Sequence, residues 1–187
     1  MMQHPLLHPI EEAHRLTSTL RYWLQDPKRI LKPYVKPKMR VLDLGCGPGF
    51  FTIALAEMVG EQGLVVAADV QKGMLDILNA KLERKPHLRN ILVHQSSHET
   101  LHLHLKFDFI LAFYSLHEMI YLEKIASELK QRCHDATLLL VAEQKFHVPR
   151  RQYHHILNVL LHEGFKIMAT PSIFLSRAAL LTLQPSA

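Results

Sequence analysis

The residues best suited to chemistry gather in one short run, Asp43-Leu44-Gly45-Cys46-Gly47-Pro48-Gly49. Three alternating glycines follow a strand-like stretch, 40–44, and precede a helix-like one, 50–59. Glycine accepts positive φ and lets the backbone approach a ligand with no Cβ in the way. The helix that follows offers N–H groups without intrahelical partners. Such a loop is expected to hold a ligand. A dinucleotide-binding loop reads GxGxxG, its last glycine allowing close packing on a pyrophosphate-binding helix. Counted from Gly45, that last position is Phe50. The phosphate loop GxxxxGK followed by Ser or Thr is absent. Asp43 suits a cationic amine and would repel a pyrophosphate. Phe50 and Asp43 therefore disfavour a nicotinamide oxidoreductase.

The elements that must position this loop follow from hydrophobic spacing. Strands are expected at 40–44, 64–68, 91–94, 107–112 and 137–142, and helices at 50–59, 72–84, 118–133 and 152–162. Two final strands, 165–169 and 173–183, read as a pair. Strand–helix alternation with apolar, β-branched strands predicts an α/β fold. The expectation is a Rossmann-like, doubly wound, seven-stranded, mostly parallel sheet with helices on both faces and an antiparallel C-terminal hairpin. Ligands of such sheets bind beyond the carboxyl ends of the strands, where strand order reverses. Ahead of this core, 39–187, lies a helical leader, 1–38, with a helix at 14–25. Asp26-Pro27 then reads as an N-cap and first-turn proline opening a helix at 28–34. Tyr22 and Trp23 are expected to form a lid or to staple the leader to the core.

Composition bounds the rest. A chain of 187 residues, 48% hydrophobic and 21% charged, suits one globular domain. The longest apolar runs are strand-sized, so no membrane span is expected. Two cysteines, Cys46 and Cys133, make no disulfide framework and no zinc spacing, which points to a reducing cytoplasm and no metal. The net charge is +5, but its cations are scattered, and the densest group, 81–89, reads as a solvated helix end. Nucleic acid is disfavoured as a partner. The 14 histidines, His94, His98, His102 and His104 among them, lack a convergent carboxylate or cysteine set and read as surface residues.

The run 43–49 resembles motif I of the class I S-adenosylmethionine-dependent methyltransferases, and the likeness extends over about residues 25–185, to small-molecule enzymes in particular. Asp69 follows Gly49 by 20 residues, at the end of the second strand. The stretch Phe107-Asp108-Phe109-Ile110-Leu111-Ala112-Phe113-Tyr114-Ser115-Leu116-His117-Glu118 is similar to the family's segment after strand 4, where a leucine–histidine pair is common. The resemblance implies S-adenosyl-L-methionine as cofactor and S-adenosyl-L-homocysteine as product. It implies Asp43 near the methionine amino group, with Gly45, Cys46 and Gly47 passing beneath the methionine and ribose. Asp69 would hold the ribose hydroxyls and Val70 would pack on the adenine. Ser96 stands where many members have Asp, and Ser97 would offer its backbone N–H to the ring. Ala112 and Phe113 would line the methionine end through their backbone.

Methyl transfer from a sulfonium needs alignment and exclusion of water, and a base only for a protonated acceptor. His117, Glu118 and Tyr114 follow strand 4 and are the candidate catalytic groups. The alternative is that His117 packs and Glu118 caps the next helix. Glu143 and His147, after strand 5, are further candidates to meet the substrate. Ala112-Phe113-Tyr114-Ser115 lacks the double proline of enzymes that methylate exocyclic amines, and the cysteines are too few for an arsenic methyltransferase. A small-molecule acceptor is the expectation, with a quinone-type or other aromatic acceptor possible. A noncatalytic cofactor-binding module or partner subunit is the alternative.

Overall fold

The computed structural model describes residues 24–184. The helix expected over 14–25 lies, but for its last two residues, outside the described residues, as do Tyr22 and Trp23. Asp26 Oδ1 accepts a hydrogen bond from the Lys28 N–H at 3.0 Å, and Pro27 opens α1, Pro27–Leu31. The helix stops three residues short of the expected end. Leu31 and Val35 are buried, Tyr34 stacks on Phe109 at 6.0 Å, and Lys28 pairs with Glu57 at 2.8 Å. Residues 27–35 are thus packed onto the core.

The chain then alternates as expected: β1 (Arg40–Leu44), α2 (Thr52–Val59), β2 (Leu64–Asp69), α3 (Lys72–Glu83), β3 (Ile91–Gln95), β4 (Phe109–Phe113), α4 (Leu122–Gln131), β5 (Leu138–Gln144), α5 (Arg150–His162), β6 (Phe165–Ala169) and β7 (Ser176–Leu183). The seven strands order β3-β2-β1-β4-β5-β7-β6. The first five are parallel, and β7 runs antiparallel between β5 and β6. Every residue of β4 is buried, because helices cover both faces and no side of the central strands meets water. Among the described residues three apolar clusters fill the layers: one includes Phe107 and Leu139, one Phe51 and Phe109, and a small one Leu75 and Leu78. Among the described residues no helix is long and apolar enough to cross a membrane.

Among the expected boundaries that move, three have a clear local reason. β4 begins at Phe109 because the Phe107 carbonyl accepts from the Thr137 hydroxyl at 2.6 Å and its N–H donates to the Arg132 carbonyl. The helix expected from 118 begins only at Leu122: residues Leu116–Glu118 form a 3-10 turn and Met119 is extended, with ψ 115°. The last strand starts at Ser176, not 173, because Leu175 sits at φ +56°.

Strand order reverses between β1 and β4, so the ends of β1, β2 and β4 surround one crevice. Gly45, just past β1, has φ +69°, and a Cβ there would lie 2.3 Å from Ser115 Cβ. Left-handed backbone costs an L-residue about 1–2 kcal/mol and overpacking about 1–3. Gly45→Ala is therefore expected to cost roughly 2–5 kcal/mol and lower the melting temperature by about 5–15 °C. Thermal unfolding checks this, and the Gly45→Ala/Ser115→Gly double variant should melt above the single one.

Candidate active site

A cavity opens at this crevice. Asp43, Gly45, Cys46 and Gly47 line it from the loop after β1, and Asp69 and Val70 from the end of β2. Ser96 and Ser97 line it from beyond β3, and Phe113, Tyr114, His117 and Glu118 from the end of β4 onward. Ala112 stands apart: it is fully buried in the sheet and not on the wall.

The loop after β1 is held from three sides. The Gly45 and Cys46 N–H groups donate to the Ala68 carbonyl at 2.8 and 3.0 Å. The Gly47 N–H donates to Asp69 Oδ2 at 2.8 Å, and Lys81 Nζ donates to the Pro48 carbonyl at 2.7 Å. Lys81 thus corrects the reading of 81–89 as a merely solvated end; it braces the loop, and burial lowers its pKa. Asp69 Oδ1 accepts from the Gln71 N–H at 2.8 Å. Burial raises the Asp69 pKa, and the N–H groups of Gln71, Gly47 and Val70 only partly offset this. Asp43 is buried and accepts from the Thr52 hydroxyl at 2.7 Å. Cys46 is buried too, and loss of hydration pushes its thiol well up, which leaves no nucleophilic thiolate at neutral pH.

The Ser97 N–H is not offered to a ligand. It donates to the Thr100 carbonyl at 3.0 Å, and the Ser97 hydroxyl accepts from the Glu99 and Thr100 N–H groups. The turn 97–100 closes on itself, so Ser97 contributes shape. His94 Nε2, 2.6 Å from the Leu101 carbonyl oxygen, pins the far end of that turn.

Past β4 the catalytic candidates separate. The His117 ring places Nδ1 2.7 Å from Glu143 Oε2, while the His117 backbone N–H donates to Glu143 Oε1 at 3.2 Å. Glu143 is fully buried at the end of β5 and is absent from the cavity wall, so it meets His117 and not a substrate. A carboxylate only accepts hydrogen bonds, so it fixes the proton of neutral His117 on Nδ1. That leaves the lone pair on Nε2, which lies 3.8 Å from Glu118 Oε1. Burial lowers the His117 pKa, but the hydrogen bond and charge of Glu143, with the charge of Glu118, raise it to a net value above 6.5. Glu118 does not cap a helix, since α4 starts after Tyr121. His147 lines the cavity with its ring edge-on to His117, centroids 5.1 Å apart.

Tyr114 takes another role. Its backbone is left-handed, φ +63°. Its hydroxyl accepts from Gln25 Nε2 at 2.5 Å and lies 2.5 Å from Ser176 Oγ. Gln25 also donates to the Phe174 carbonyl at 2.9 Å. The phenol clamps the segment before α1 to the start of β7. Gln25 and Ser176 were invisible in the sequence, 89 and 62 residues away from Tyr114. One buried group remains without a hydrogen-bond partner among the described residues, Ser115 Oγ, which also lines the cavity. It and the spare lone pairs of Asp69 fit a polar ligand lying against the glycine loop.

The raised His117 pKa gives a signed expectation. Stability from the His117–Glu143 pair is complete below pH 6.5, the unfolded value, and is lost as pH rises through the folded pKa. An NMR titration of the His117 imidazole should have its midpoint above 6.5 in the parent and a lower midpoint in Glu143→Gln. An unmoved midpoint would mean that Glu143 does not set the charge of the ring.

Residues 41–136, about half of the chain, match the family model described as a methyltransferase domain. A demethylmenaquinone methyltransferase of Bacillus cereus (strain ATCC 10987 / NRS 248) is 46% identical over 61 residues. That stretch is 33% of this chain and spans only a quarter, 25%, of the relative. A solved S-adenosylmethionine-dependent methyltransferase from Aquifex aeolicus superposes with a TM-score of 0.85 at 25% identity, covering 95% of this chain and 100% of its own. An Aeropyrum pernix fibrillarin solved with natively bound S-adenosyl-L-methionine has a TM-score of 0.65 at 16% identity, over 80% of this chain and 68% of its own, a likeness of fold alone.

Proposed function

Since this chain belongs to the methyltransferase domain family, we propose that it methylates a small-molecule acceptor whose reacting atom loses its proton to His117. Family and fold make it an S-adenosylmethionine-dependent methyltransferase. When bound, S-adenosylmethionine supplies a methyl carbon already activated by its sulfonium for in-line displacement. Asp69 receives the ribose hydroxyls, its carboxylate held by the Gly47 and Gln71 N–H groups. Asp43, steadied by Thr52, faces the cationic amino end. Gly45, Cys46 and Gly47 form the floor, Val70 and Ser96 flank the adenine, and Phe113 closes the methionine end.

The observation that carries the base is the His117–Glu143 pair, 2.7 Å long, with Glu143 excluded from water. A buried carboxylate behind an imidazole fixes its tautomer and stabilises the imidazolium formed when it takes a proton. Phe50, Phe51 and Met119 give the wall an apolar stretch among its polar residues, which favours an acceptor with an aromatic or quinol-type body. The name of the Bacillus cereus relative supports that class, over the quarter of its length that aligns. In this reading residues 1–38 are a leader and 39–187 the catalytic core, the two joined by the Gln25–Tyr114 bond. Cys46 and Cys133 are both free, which supports a cytoplasmic setting.

Calorimetry tests the cofactor site first. S-adenosylhomocysteine should bind saturably and NADH should not. Asp69→Asn should weaken that binding about 10- to 100-fold, as loss of charged hydrogen bonds does. With an acceptor found by screening phenols and quinols, His117→Ala should lower kcat by about 100- to 10,000-fold while S-adenosylhomocysteine still binds. In the parent, kcat should rise as pH climbs through the His117 pKa, and Glu143→Gln should move that limb to lower pH. Full turnover by His117→Ala would remove the base from this scheme.

A further inference from the structure

The loop after β5 has two faces. Gln144 and His147 line the cavity, yet Phe146 between them is 84% exposed. The Lys145 N–H donates to the Leu175 carbonyl at 2.9 Å, which brings the loop before β7 alongside. There Phe174 is 51% exposed and Leu175 37%. Arg177 locks the two loops together, Nη1 donating to the Lys145 and Val148 carbonyls at 3.3 and 2.9 Å. The next residue, Ser176, holds the Tyr114 phenol on the cavity wall. Three large apolar side chains therefore crest one rim of the active-site mouth. Single exposed apolar residues need no explanation, but a rigid group of them beside a site does.

The charge around this crest is mostly positive: exposed Asp26 lines a second cavity beside Phe174, but Arg29 lines that cavity too. Lys145, Arg150 and Arg151 are all exposed. From residue 144 to 184 the chain has five lysines and arginines and one acid, Glu163. Glu163 follows the far end of the 13-residue α5, whose first residue is Arg150. The nearer acid, Glu143, is buried against His117, and Glu118 lies within 3.8 Å of the same ring. Exposed apolar side chains with exposed cations at neighbouring chain positions match what an anionic bilayer offers, hydrocarbon beneath charged headgroups. Single-stranded RNA asks instead for rings along a groove, and Leu175 has no ring.

We infer that this rim docks the protein on an anionic lipid surface, with Phe146, Phe174 and Leu175 entering the interface and Lys145, Arg150 and Arg151 lying over the headgroups. The cavity mouth then faces the membrane, where an apolar acceptor dissolves. Docking needs neither turnover nor cofactor, so its test stands apart from the fate of His117.

The full chain is sedimented with vesicles of phosphatidylcholine alone and of phosphatidylcholine mixed with phosphatidylglycerol. Binding is expected to the mixed vesicles, weakened by salt. Phe146→Ser and Phe174→Ser should each lower partitioning about tenfold or more. Arg150→Gln with Arg151→Gln should lower it about 25-fold, near fivefold per charge. All variants should still bind S-adenosylhomocysteine as the parent does. Equal binding to both vesicle types, no binding at all, or Phe146→Ser binding like the parent would overturn the proposal. So would displacement from vesicles by polyuridylate with the RNA retained, or a dimeric mass by light scattering that Phe146→Ser abolishes.

Discussion

The Asp69 carboxylate is the group on which the loops around the crevice depend. It leaves the tip of β2 and takes the Gly47 N–H from the loop after β1 and the Gln71 N–H ahead of α3, each at 2.8 Å. Three consecutive parts of the βαβ unit meet on one side chain. Without it, the backbone N–H of Gly47, at positive φ, would lack a fixed acceptor. The contact also keeps a negative charge in a place where burial works against it. That arrangement is stable because the donors are backbone groups already held by strand and helix, so forming the bonds costs little further ordering.

The ends of β4 and β5 follow the same logic with a different donor. Glu143 has no access to water, and a buried charge without a partner is costly. The end of β5 solves this by aiming the carboxylate at both the backbone and the ring of His117. Parallel pairing of β4 with β5 in the register Phe113↔Ala142 brings the two residues to the same end of the sheet. The pairing that Glu143 requires and the orientation of the His117 ring are therefore one interaction. The 3-10 turn at Leu116–Glu118 and the extended Met119 keep the ring at the cavity wall. A continuous helix from 118 would have turned this stretch into a regular helix face.

What the sequence showed was whatever spacing along the chain encodes. The glycine loop and Asp69 lie within one unit of about 30 residues, and the strand–helix alternation repeats such local units, so its order was legible although some boundaries were not. The His117–Glu143 pair, the Lys81–Pro48 brace and the Gln25–Tyr114 clamp join residues 26, 33 and 89 positions apart. They exist only once strand order is known. Lys81 looked solvated because its neighbours are charged, although its own ammonium reaches back over the loop. Ser97 was misread for the opposite reason: its N–H looked available in the chain, but a turn four residues long consumes it. The start of α4 was misplaced because Met119 keeps an apolar pattern that its backbone does not follow.

The position of β7 carries a consequence for how the molecule is made. β7 comes later in the chain than either of its neighbours, yet it lies between them, paired to β5 over seven residues and to β6 on its other side. Until β7 emerges from the ribosome, β5 has one open edge and β6 has no partner in the sheet. The five parallel strands can collapse during synthesis, since each pairs with an earlier one or with the next. Their exposed edge is a template for wrong pairing during that interval. Ser176, the first residue of β7, also bonds the Tyr114 phenol. Closing the edge and setting the cavity wall are thus a single late event in biosynthesis.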